Sequence, residues 1–369
     1  MRFRRTLLLT AAVGAALITA VPLTAAAATP STTPAASAPA AATCTTVDKL
    51  QSSTSAAATN AFWTPANTAA AKNFDLLPTG GSGKSAAATT ATRSADLAAA
   101  SSTPSQVCAA TADAGASSTA ATAAAPAGVT PATTAINGYQ SVGKFFFDIA
   151  SIGKLNCTAS VINDSKGNPK QELVLTAAHC FEGLQDGIPY TTNDWLFAPE
   201  WHNNVFPYGK WNVKAVYVDS NWFTCTIECH ENPRYDYAVL VVDPRSGHGV
   251  GHYTGLNGWK VNAAKSVNNV RIVGIPGNSG KALVNVTNTT TVTINPGNYL
   301  ARKASTPGFG EGSSGGPWFY SFNTKSGVGL MLGDTGGFDS GGPTDSPSYS
   351  SYWTSAFSTL VNGVANKYE

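Results

Sequence analysis

The sequence predicts an all-β barrel or sandwich with one C-terminal helix, preceded by a low-complexity N-terminal segment. Three observations predict it. The chain of 369 residues holds 15 Phe, 12 Tyr and 8 Trp, yet only Phe3, Phe62, Trp63 and Phe74 precede Tyr139. Large side chains offset the chain entropy lost on folding, so the packed core is expected after residue 135. From Tyr139 onward, short runs rich in β-branched and aromatic residues alternate with Gly, Asn, Pro and Asp, which is the pattern of many short strands. Lastly, Trp353, Phe357, Leu360, Val361 and Val364 recur at steps of three and four, which predicts a helix over Ser351 to Ala365.

The chain opens with Met1-Arg2-Phe3-Arg4-Arg5 and an apolar run from Thr6 to Val21, the charged and apolar regions of a secretory signal. Ala26-Ala27-Ala28 fits the small-residue pattern before a cleavage site, so residues 1–28 are expected to be removed on export. A retained anchor is the alternative. The run is short, contains Pro22 and ends in small residues without a charged flank, so no stable membrane insertion is expected and the protein is expected to be secreted and extracellular.

Residues 29–135 are dominated by Ala, Thr, Ser and Pro, a composition that buries little apolar area and supports little regular structure. A propeptide is the first reading of this segment, and a wall-spanning stalk the second. Ala61 to Leu77 stands out as an amphipathic patch bracketed by Cys44 and Cys108, with the character of an intramolecular docking element. Gly80-Gly-Ser-Gly-Lys-Ser85 has the look of a phosphate-binding loop, but Pro78 stands where the first glycine is required. It is a turn.

The net charge of +2 and the 12% charged residues leave no electrostatic case for a nucleic-acid partner. Six cysteines in an exported chain favour disulfides over metal thiolates, and they group by position as Cys44 with Cys108, Cys157 with Cys180, and Cys225 with Cys229. Cys225-x3-Cys229-His230 lacks a second ligand pair at a usual zinc spacing, so a small disulfide loop is expected and no metal or other cofactor. His248-Gly-Val-Gly-His252 lacks the glutamate of a zinc helix and is expected to be a surface loop.

Residues 136–369 form the expected folded domain, with strands over Lys144 to Ile149, Leu173 to Thr176, Val213 to Val218, Tyr237 to Val242, Val270 to Ile275 and Ala282 to Thr287. Three stretches in it carry chemistry. Leu173-Val-Leu-Thr-Ala-Ala-His-Cys180 ends an apolar strand at a histidine. Arg234-Tyr-Asp-Tyr-Ala-Val-Leu240 sets an aspartate at the mouth of a strand. Gly310-Glu-Gly-Ser-Ser-Gly-Gly-Pro-Trp318 packs glycines around two serines. Acyl transfer by a serine needs a base, a carboxylate to orient that base, and N–H donors for the oxyanion. Ser314 supplies the nucleophile, His179 the base and Asp236 the carboxylate, and the N–H groups of Gly312 and Ser314 form the oxyanion hole.

Thr176-Ala-Ala-His-Cys180, Asp236-Tyr-Ala-Val-Leu240 and Gly312-Ser-Ser-Gly-Gly-Pro317 resemble, in order, the three motifs of the chymotrypsin/trypsin-like serine peptidases. The resemblance implies a double six-stranded antiparallel β-barrel over residues 136–369, a secreted serine endopeptidase made as a zymogen, and cleavage of polypeptides through an acyl-enzyme. It also implies a disulfide between Cys157 and Cys180 beside the base. Gly312-x-Ser314-x-Gly316 fits the nucleophile elbow of α/β-hydrolases too, but there the histidine follows the serine, and all five histidines here precede Ser314. A catalytically idle binding protein on the same fold is the rival from another class.

Two departures from the family bear on activation and specificity. Ser313 replaces the aspartate that pairs with a freed N-terminal amine, and the cysteines around the serine loop are absent, as in bacterial members resembling glutamyl endopeptidases. Trypsin-like members bind lysine or arginine through an acidic residue six positions before the serine. Gly308 stands there, with Phe309 beside it, so a neutral pocket is expected unless Asp334 or Asp339 reaches it from the next loop. The enzyme is expected to act as a monomer, with residues 29–135 as an intramolecular propeptide.

Overall fold

The computed structural model describes residues 42–52, 54–73, 103–110, 117–120, 138–149, 153–167, 170, 172–185, 188–223, 232–277, 279–295, 297–341 and 347–368. The expected signal segment, the turn at Gly80 to Ser85 and the Cys225/Cys229 pair lie outside these residues.

Composition predicts little regular structure before residue 135, yet the described part of that segment is folded onto the rest. β1 (Ala42–Gln51), α1 (Ala56–Phe62), α2 (Pro65–Ala70), β2 (Lys72–Asn73) and β3 (Thr103–Ala110) follow one another. The helices start where Ser55 and Thr64 accept from the backbone N–H three residues on, which satisfies donors the first turn leaves unpaired. β1 and β3 pair antiparallel with Cys44 opposite Cys108, and these two form a disulfide. Long-range packing supplies what composition withholds: Val47, Leu50, Trp63 and Val107 are fully buried.

The first barrel is built from β4 (Val142–Ile149), β5 (Gly153–Val161) and β6 (Leu173–Thr176), then, past the small hairpin of β7 (Glu182–Gln185) and β8 (Ile188–Thr191), β9 (Asn193–Pro199), β10 (Trp211–Asp219) and β11 (Ala238–Val242). Each large strand pairs antiparallel with its neighbours in the order β11-β6-β5-β4-β9-β10, and β10 returns to β11, closing six strands into a barrel. Closure leaves β11 buried on both faces, which is why Ala238 to Val242 reads as an unbroken apolar run. β1 adds to the outside of β10 and β2 to β5.

After the short α3 (Val250–Thr254) and β12 (Gly258–Trp259), the second sheet comprises β13 (Ser266–Gly274), β14 (Leu283–Ile294), β15 (Tyr299–Pro307), β16 (Pro317–Asn323), β17 (Val328–Asp334) and β18 (Pro347–Ser351). Its order is β12-β17-β16-β13-β14-β15-β18, and the Gly336 N–H donates to Tyr349 O where its two ends meet. Apolar alternation on its inner face buries Val267, Val270, Ile272, Trp318 and Leu332 together.

α4 (Ser355–Tyr368) closes the chain. The helical period begins four residues later than expected, because Ser351 ends β18 and pairs with Ala301. Trp353 precedes the helix and stacks on Phe357 at 4.0 Å between ring centroids. Phe357, Leu360, Val361 and Val364 are buried, and a β-carbon at Gly363 would sit 2.8 Å from Val107 Cβ, so the helix docks on β3 as well as on the barrel and the second sheet. No helix among the described residues is long and apolar enough to cross a membrane.

Candidate active site

β6 and β11 lie side by side in antiparallel register, Thr176 opposite Ala238, so the residues just beyond Thr176 and just before Ala238 meet at one barrel end. His179 sits there in a single turn of 3₁₀ helix, Ala178–Cys180, and Asp236 follows a second such turn, Pro233–Tyr235. His179 Nδ1 is 2.8 Å from Asp236 Oδ2, and the His179 backbone N–H donates to Oδ1 at 2.9 Å. The Gly337 N–H donates to Oδ2 at 2.6 Å. Asp236 is fully buried and His179 nearly so. A buried carboxylate requires such donors, because desolvation without them costs several kcal/mol. With Nδ1–H donated to the carboxylate, Nε2 carries the basic lone pair.

Ser314 rides on a loop between β15 and β16 that is bent by glycines at positive φ, +84° at Gly312 and +75° at Gly315. L side chains resist that region, and Gly315 has no room for one: a β-carbon there would lie 2.8 Å from Ala177 N and collide with Thr176. The serine loop is thereby keyed onto the strand that leads to His179. Thr158 of β5 holds it from the other side, its N–H donating to Ser314 O at 2.8 Å and its hydroxyl to Gly312 O at 2.9 Å. The Gly315 N–H donates to Thr335 O and the Thr335 N–H to Gly316 O, at 2.7 and 2.8 Å. Ser313 Oγ donates back to Gly310 O at 2.5 Å, so hydrogen bonds within the loop brace it at the position where the trypsin-like pattern has aspartate.

The two described cysteine pairs, Cys44–Cys108 and Cys157–Cys180, are both disulfides, the second tying β5 to the residue after His179. Gly308 faces β18: the atoms within 4 Å of a β-carbon placed on it all belong to Ser348. Phe309 packs against the core of the second sheet. Asp334 is fully buried at the end of β17, and Asp339 is exposed. Burial pushes the Asp334 carboxyl well above its ordinary value of 3.8; Asp236 adds to the rise and His179 opposes it.

Three residues packed around this pair and loop are not marked in the sequence: Thr158 carries no motif of its own, Asp334 reads only as a pocket candidate, and the Gly337 donor is announced by nothing more than the Gly336-Gly337 doublet. His248 and His252 stack at 4.0 Å, and His252 belongs to the one-turn helix α3 rather than to a loop. Among the described residues no three His, Cys, Asp or Glu side chains cluster to hold a metal.

A closed six-strand β-barrel with a second sheet, and a histidine–aspartate pair abutting a glycine-bent serine loop, define the class of chymotrypsin-like serine peptidases, enzymes that hydrolyse peptide bonds. The family described as "Lysyl endopeptidase, C-terminal domain" matches residues 127–349, and the chain belongs to it. Among solved structures, the protease Anisep from Arthrobacter nicotinovorans is 26% identical, with 61% of this chain and 96% of that one covered at a TM-score of 0.48. A thermostable serine protease from an extremophilic microorganism is 20% identical, with 62% and 98% covered at a TM-score of 0.49. No curated protein was found to match the chain.

Proposed function

We propose that the protein is a secreted serine endopeptidase in which Ser314 attacks the scissile carbonyl, His179 accepts its proton and Asp236 orients the histidine. The observation that carries this is the double contact of one buried carboxylate with both the Nδ1 and the backbone N–H of His179. Attack at the carbonyl transfers the Ser314 hydroxyl proton to His179 Nε2, and the oxyanion is held by the N–H groups of Gly312 and Ser314. His179 then protonates the leaving amine, and the acyl-enzyme is hydrolysed by water through the same two steps. Residues 1–28 act as the export signal and 29–135 as an intramolecular propeptide.

Cleavage is proposed after neutral, apolar residues. The family's name speaks of lysyl bonds, and a lysine held in a desolvated pocket needs a counter-charge. Gly308 faces a serine hydroxyl, Phe309 adds apolar surface, and Asp339 stands in solvent. The likeness to glutamyl endopeptidases rests on the missing cysteines around the serine loop and extends to no glutamate preference, since no histidine follows Ser314. A peptide-library digest with the purified protein and its Ser314→Ala variant tests both statements. Cutting by the wild type alone, after apolar residues, supports them; equal cutting by the variant overturns the mechanism, and strict cutting after lysine overturns the pocket.

A further inference from the structure

Ala71 to Asn73 runs along β5 beside the serine loop. Lys72 pairs with Leu155 and Asn73 with Asn156 in parallel register. The Asn156 amide donates to two successive carbonyl oxygens of that segment, Ala71 O at 3.1 Å and Lys72 O at 2.9 Å. Lys144 Nζ donates to Asn156 Oδ1, which holds the amide with its N–H groups facing the segment. Lys144 and Asn156 are both buried. The Asn73 side chain then enters a notch that only glycines leave open. A β-carbon on Gly277 would collide with it, and one on Gly312 would lie 2.9 Å from Asn73 Oδ1 and 3.1 Å from Asn156 Oδ1.

The notch has a definite place relative to the reaction. With the pocket at Gly308 and Phe309, as proposed above, an acyl group on Ser314 would extend toward Gly308, which faces Ser348 of β18. The departing amine takes its proton from His179, which the Cys180–Cys157 disulfide ties to β5 one residue beyond Asn156. β5 itself meets the serine loop through Thr158 and Ser314. We propose that Leu155–Asn156, Gly277 and Gly312 form the binding cleft for the departing half of an extended polypeptide substrate, and that Ala71–Asn73 fills it as a built-in competitor. This rests on the serine-protease reading above.

The competitor is tethered close by. Trp63 is fully buried against Phe146, Leu196, Ala198, Trp201 and Ile275, and its indole N–H donates to Asp194 O. Ile275 lies two residues before Gly277, so anchor and notch share one stretch of chain. Intramolecular tethering raises the effective concentration of a weak ligand to the millimolar range or above, enough for a three-residue contact to exclude substrate. The preferred ligand is an extended chain with a small polar side chain at the notch, because Asn156 reads backbone carbonyls and the glycines limit size.

The test uses the full chain and two substrates with the same acyl half: one with a small alcohol as leaving group, the other extended by three residues beyond the scissile bond. Asn73→Gly empties the notch and Asn73→Leu overfills it, both without touching the Trp63 anchor. Each variant is expected to raise kcat/KM for the extended peptide by about tenfold or more and to leave the small ester within about twofold of wild type. Unchanged turnover of the extended peptide by both variants, with the ester still hydrolysed, overturns the competitor. Loss of ester turnover in wild type and variants alike, with no modification of Ser314 by a fluorophosphonate, overturns the protease reading on which it rests.

Discussion

One carboxylate holds two parts of one histidine: Asp236 Oδ2 is 2.8 Å from His179 Nδ1, and its Oδ1 accepts the His179 backbone N–H at 2.9 Å. Ring and main chain are thus referred to the same anchor. Rotation of the imidazole away from Asp236 would break a charge-assisted hydrogen bond inside a buried site, where such bonds are strongest.

Asp236→Asn keeps the shape but offers Nδ1 an amide that can present its N–H, favouring the wrong tautomer. Turnover is expected to fall by about 10⁴-fold while KM for a small ester changes little. Steady-state kinetics on the purified variant check this.

Ser348→Asp places a carboxylate against Gly308. Preference is expected to move from apolar residues toward lysine and arginine, with the ratio of kcat/KM values changing by about 100-fold, as a desolvated charge pair is worth a few kcal/mol. Paired chromogenic substrates differing only at that residue measure the shift.

Burial holds the Asp334 carboxyl well above its ordinary value of 3.8, so the folded protein keeps a proton the unfolded chain releases. The sign follows: stability from this group is complete below about pH 4 and is lost as pH rises toward the folded-state value. Asp334→Asn, which cannot ionise, is expected to flatten that decline in urea unfolding as pH rises above about 4.

Trp63→Ala removes a fully buried indole from the contact between the N-terminal segment and β4 and β9. The expected cost is about 3–5 kcal/mol, read as a lower midpoint in denaturant unfolding at unchanged slope.

These residues differ in how plainly the sequence announces them. His179, Asp236 and Ser314 are readable because each sits at the end of an apolar run or inside a glycine cluster, and local pattern is what a sequence displays. The fold of residues 42–73 is not, since Thr45 finds its partner Asp219 at a separation of 174 residues and Trp63 is buried by strands that lie far downstream. Ala, Thr and Ser make poor cores alone, but they serve as strands added to a barrel edge that already exists. α4 begins later than its apolar period predicts for a related reason: Trp353 keeps the helical period by stacking on Phe357 while its own backbone leaves β18. Gly337 shows the same limit from the side of the site, a main-chain donor without a side chain to mark it.

The most direct test of the central claim is mass spectrometry of the protein after treatment with a fluorophosphonate, with the adduct mapped to its residue. The account predicts one adduct, on Ser314, that disappears in His179→Ala because the serine then lacks its base. An unmodified Ser314 in folded wild-type protein, or an adduct that survives loss of His179 undiminished, would contradict it.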